Sequence, residues 1–185
     1  NYEVRNAVIL RYWARIVGAA RSRQVEQAEG ELVELERLSS EMQTAQSVWA
    51  RNTSEVLRRQ AAGWLALAKE NPERALELLR SAAELESATD ESALSPGRVL
   101  PAHEQLGDML AELGRPQEAV AAYEASLNQA PRHINSYIGA ARAAQAAGEP
   151  EAAHGYYEKL LELVAEDSTR AELDEVRSAL SETSS

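Results

Sequence analysis

The chain has 185 residues, no cysteine and no phenylalanine, with a formal net charge of −11. Without cysteine, disulfides, thiolate metal sites and Cys nucleophiles are excluded. The acidic balance argues against nucleic acid as a partner, and no 18-residue apolar run exists that would form a transmembrane helix.

The predicted elements are helices throughout, because Ala and Leu dominate an apolar content of 44% and suit close-packed helices better than strands. One helix is expected from Glu3 to Ala20 and a second from Gln24 to Leu38, with a longer one over 44–69. The N-terminal end is basic: Arg5, Arg11, Arg15, Arg21 and Arg23 face Glu3 alone within the first 24 residues. Residues 1–60 net +1 and residues 61–185 net −12. A basic end of this kind suits an acidic partner or the acidic end of another copy, although a solvated helix face is the plainer reading.

From the middle onward the chain repeats itself. Gly114, Pro116, Ala119, Tyr123 and Leu127 recur 34 residues later as Gly148, Pro150, Ala153, Tyr157 and Leu161. An earlier copy lies 44 residues upstream, where Gly63, Pro72, Ala75 and Leu79 match Gly107, Pro116, Ala119 and Tyr123. The extra residues, 90–99, carry Ser, Pro and Gly and read as a loop. The repeats therefore run 56–89, 100–133 and 134–167. Each is a helix, a tight turn and a second helix. Gly114 and Gly148 stand just past a helix end, where a left-handed residue closes the turn. Pro72, Pro116 and Pro150 open the second helix, where the missing N–H has no intrahelical role. Gly63, Gly107 and Ala141 are expected to face Ala75, Ala119 and Ala153, with Leu79, Tyr123 and Tyr157 filling the space toward the next repeat.

After the last repeat, Thr169 and Glu172 have capping-box spacing. Leu173, Val176 and Leu180 form one apolar stripe. Residues 168–185 are read as a capping helix, which repeat arrays need for solubility, with the tail SETSS disordered.

These residues resemble the tetratricopeptide repeat family over 56–167. The motif positions are Leu106, Gly107, Gly114, Ala119, Tyr123 and Pro131, then Tyr137, Ala141, Gly148, Ala153 and Tyr157. Leu110 and Ala144 depart from a common Tyr, His103 from Trp and Ala165 from the closing Pro. Aligning Tyr12 and Ala28 to the motif adds a degenerate repeat at 9–42 within the helical region 1–55, with Arg23 where the turn glycine would be. The segment 94–127 also looks like the C-terminal part of larger bacterial tetratricopeptide proteins, which would make this chain a fragment of a longer array.

The resemblance implies an all-α solenoid of antiparallel helix pairs in a right-handed superhelix. The first helix of each repeat would line a concave groove suited to a peptide or helix of a partner protein. By family register the groove residues are Trp13, Gln60, Trp64, Leu67, Glu104, Asp108, Glu112, Asn135, Ile138 and Arg142, with Val17 and Gln145 beside them. Trp13 and Trp64 are candidate anchors for an apolar side chain and equally candidates for packing between repeats. Trp49 is expected in the core. Family members that clamp the C-terminal carboxylate of chaperones use cationic residues at positions that here hold Gln60, Trp64, Gln105, Asn135 and Gly139, so that mode is not expected.

No catalytic residue, metal site or cofactor is expected. His103, His133 and His154 are scattered, and no HExxH, Gly-rich phosphate loop or GxSxG is present. The competing expectations are a self-assembling homo-oligomer and a helical support for an upstream domain. The compartment stays open between the cytoplasm, slightly favoured, and the periplasm, should an upstream signal have been removed.

Overall fold

The computed structural model describes residues 2–89, 100–164, 173, 176 and 177. The proposed loop at 90–99, the capping box at Thr169 and Glu172, Leu180 and the SETSS tail lie outside the described residues. Among those described, all regular structure is helical: α1 (Tyr2–Arg21), α2 (Val25–Met42), α3 (Val48–Ala68), α4 (Pro72–Ser87), α5 (Ala102–Glu112), α6 (Pro116–Gln129), α7 (Ile134–Ala147) and α8 (Pro150–Leu163). The chain divides into two compact units, Asn1–Gln105 and Leu106–Ser185, and the boundary falls inside α5.

Four short turns join α1 to α2, α3 to α4, α5 to α6 and α7 to α8, and all four are built alike. The turn residue has a positive φ: 60° at Arg23, 60° at Glu70, 69° at Gly114 and 79° at Gly148. Its N–H donates to the carbonyl three residues back, and the next N–H donates five residues back. For Glu70 these are Glu70 N to Leu67 O at 2.9 Å and Asn71 N to Ala66 O at 3.0 Å. This is the Schellman arrangement, which satisfies the last carbonyls of a helix and reverses the chain.

The second helix then opens without effort. Pro72, Pro116 and Pro150 stand in its first turn, and at α4 the Asn71 side chain also accepts from Arg74 N at 3.1 Å. Five residues past each turn residue comes a buried alanine: Ala28, Ala75, Ala119 or Ala153.

In the first unit, α1 packs on α2, α3 on α4, and α3 on both α1 and α2. Ser47 caps α3 by accepting from Ala50 N at 3.2 Å. Trp49, expected in the core, is only half-buried, because it sits in the first turn of α3. Gly63 lets α4 approach: a Cβ there would stand 3.1 Å from Leu79 Cδ2 and 3.3 Å from the Ala75 carbonyl. In the second unit, α7 packs on α6 and α8. Its core joins Ile138, Ala141, Tyr157 and Leu160 to Leu173 and Val176.

The small residue at 107 makes room for an aromatic ring. Gly107 meets the ring of Tyr123, with a Cβ placed only 2.7 Å from Cε1. The same ring lies against Gly139 on α7. Tyr123 thus slots between two glycines on consecutive first helices, a flat side chain taking the volume that two Cβ atoms would have occupied.

Candidate protein-interaction face

The first helices α1, α3, α5 and α7 carry all ten proposed groove residues, and the two units present them differently. In the first unit they are mostly packed away. Gln60 is fully buried, Trp64 is 1% exposed, Glu104 4% and Trp13 7%. Leu67 is half-buried.

Trp64 is a joint between helices. Its indole N–H donates to Gln105 Oε1 at 2.9 Å. Its ring is covered by the Arg21 guanidinium, 4.7 Å from the centroid. One side chain on α3 therefore touches the C-terminal end of α1 and the first turn of α5. An aromatic ring in this position gains apolar burial, a cation–π contact and a hydrogen bond together. Arg21, which is exposed, is what this position shows to solvent. The anchor role for Trp13 and Trp64 is thus set against deep burial of both.

The basic N-terminal end is also engaged by its own chain. Arg5 pairs with Glu41 at 3.3 Å, Arg15 pairs with Glu31, and Arg23 stands 3.9 Å from Glu70. Arg11 stacks over Tyr12 at 5.4 Å. Arg58 and Arg59 on α3 converge on Glu55, at 2.7 and 2.8 Å. Burial alone would raise the Glu55 carboxyl, but the hydrogen bonds from the two guanidiniums hold it below its ordinary range.

In the second unit the proposed residues are open. Glu112, Asn135 and Arg142 are exposed and Asp108 is half-buried. Ile138 is the exception, at 5% exposure inside the core with Tyr157 and Leu160. Asp108 accepts from the Tyr123 hydroxyl at 2.7 Å, so the ring held between Gly107 and Gly139 also aims a carboxylate. Asp108 and Glu112, four residues apart on α5, share a helix face, as do Asn135, Ile138 and Arg142 at helical spacing on α7.

Three features escaped the sequence reading: Arg21 over Trp64, the Trp64–Gln105 hydrogen bond and the Tyr123–Asp108 hydrogen bond. Each joins side chains from different helices, so no local pattern could reveal it. On the second helices, Tyr156 donates to Glu124 at 2.6 Å. Burial first, and then this bond, hold its phenol above the ordinary value.

Among the described residues there is no group of three or more His, Asp or Glu that could hold a metal ion, and no helix is long and apolar enough to cross a membrane.

Residues 98–166 match the tetratricopeptide repeat family. Over this part the chain is similar to that family, whose members bind other proteins. Three solved structures are similar at 18% identity: a MamA mutant, covering 89% of this chain and 100% of its own at a TM-score of 0.48, and two MamA AMB-1 structures at 0.46 and 0.48. No curated protein matches the sequence.

Proposed function

We propose that the chain is a non-catalytic binding module that holds a peptide or helix of a partner protein on the first-helix faces of its repeats. The observation that carries this reading is the open, mixed-charge surface on α5 and α7, within the part that matches the repeat family. Asp108, Glu112, Asn135 and Arg142 are the reading side chains. Charged and amide groups at helical spacing suit a partner recognised by register and charge. Ile138, buried in the same unit, belongs to the packing beneath this surface, while Trp13, Gln60, Trp64 and Glu104 are buried within the first unit. Leu67, half-buried, adds apolar contact in the first unit.

The repeats on this reading are 56–89, 100–133 and 134–167. The pair α1–α2 forms a degenerate fourth repeat at about 9–42, supported by the turn at Arg23 and the buried Ala28.

The test is capture from a lysate, followed by light-scattering mass and titration with the captured protein. A 1:1 complex whose affinity falls at least tenfold in Glu112→Lys and Arg142→Glu, with helicity kept, supports the reading. Capture indifferent to both substitutions, or a mass that grows with concentration and no captured protein, would sink it. The latter result would select self-assembly instead.

A further inference from the structure

A helix leaves its first N–H groups without intrahelical partners, and a Ser, Thr, Asp or Asn just before it normally accepts from them. Helix α5 has no such residue. Its cap position is Pro101, whose carbonyl accepts from Gln105 N at 3.1 Å and whose ring offers no acceptor. Leu100 precedes it. The acceptor comes from elsewhere: Glu86, in the last turn of α4, takes the N–H of Ala102 on Oε2 at 2.7 Å. Glu86 is 9% exposed and Ala102 fully buried.

An acidic residue in the last turn of a helix opposes that helix's own dipole. The position of Glu86 is therefore unfavourable for α4 and favourable for α5, whose N-terminal end attracts negative charge. One residue on, Ser87 Oγ and His103 Nε2 lie 3.0 Å apart. The neighbouring residues of α5 are tied as well: Gln60 Nε2 donates to Leu100 O at 3.3 Å, and Gln105 receives the Trp64 indole.

We propose that Glu86 is a positioning residue, a cap borrowed from α4 that fixes the first turn of α5 and, through Gln105, the indole of Trp64. Its bearing on binding rests on the proposed function, since Asp108 and Glu112 ride on the same helix. The cap itself is measured with no partner present, so the two can fail separately.

The experiment is hydrogen exchange by NMR on the full chain. In Glu86→Ala the Ala102 amide and the Trp64 indole N–H exchange about tenfold faster, the scale of a lost cap, while α7 and α8 keep their protection. Glu86→Gln, which keeps an acceptor, restores most of the protection at Ala102. Should Glu86→Ala fail to fold, Glu86→Asp, one methylene too short, takes its place. Unchanged exchange at Ala102 and Trp64, or equal acceleration in every helix, would overturn the proposal.

Discussion

Arg23 and Glu70 close two different turns, share a φ of 60°, and bring their charged ends to 3.9 Å of each other. At the matching turns of the second unit the residue is glycine. The left-handed conformation costs an L-residue with a Cβ roughly 1–2 kcal/mol. The ion pair does little to offset that, because both side chains are largely exposed.

Replacing either residue by glycine should therefore stabilise the chain. Glycine removes the strain but adds freedom to the unfolded state, so the expected net gain is about 0.5–1 kcal/mol each. Urea unfolding monitored by helicity measures it. The mirror experiment, Gly114→Ala or Gly148→Ala, should cost about 1 kcal/mol. A Glu70→Gly protein less stable than the parent would contradict the strain argument.

Tyr123 supplies the second prediction. A Cβ at Gly107 or Gly139 would collide with its ring, and the ring cannot retreat without releasing Asp108. Gly139→Ala should cost about 1–3 kcal/mol, the usual range for overpacking. In a Tyr123→Leu background the same substitution should cost much less. Additive losses would mean that the ring is not what excludes the methyl.

The tryptophans separate on one atom. The Trp64 indole N–H is bonded to Gln105, whereas the buried Trp13 Nε1 has no partner among the described residues. Trp64→Phe strands a buried amide oxygen and should cost about 1–3 kcal/mol beyond lost packing. Trp13→Phe strands nothing and should be milder. Thermal unfolding of the two variants side by side decides it, and equal losses would refute the distinction.

Glu55 gives a pH dependence with a definite sign. Its folded carboxyl titrates below the ordinary value, so its contribution is present at neutral pH and is lost as pH falls through that lowered value. Glu55→Gln should reduce stability at pH 7 by at most about 1 kcal/mol, given the partial exposure of the pairs. The difference from the parent should shrink below about pH 4. A gap that is constant from pH 7 to pH 3 would remove Glu55 from the account.

Much of this architecture was readable from the residues, because the repeat carries its signals locally. Gly114 and Gly148 announce their turns, Pro72, Pro116 and Pro150 announce the helices that follow, and the buried alanines keep a fixed distance from each turn. Pro72 placed the turn at Glu70, but its left-handed residue carried no glycine to mark it, because Glu70 pays the conformational cost instead of avoiding it. Trp64 could not be assigned by eye, since a tryptophan on an inward-facing position serves a groove and a core equally well. What settles its surroundings is Arg21 on one helix and Gln105 on another, neither within local sequence range. Asp108 was placed by register, but its orientation by Tyr123 depends on two glycines that only the folded chain brings to one ring.

The four turns have one more consequence. Each hairpin contains its own reversal and its own spacer, a left-handed residue and, five positions on, a buried alanine. Nothing in that pair of signals refers to the stretch between one hairpin and the next. Extra chain can therefore accumulate at those junctions while every hairpin keeps its register.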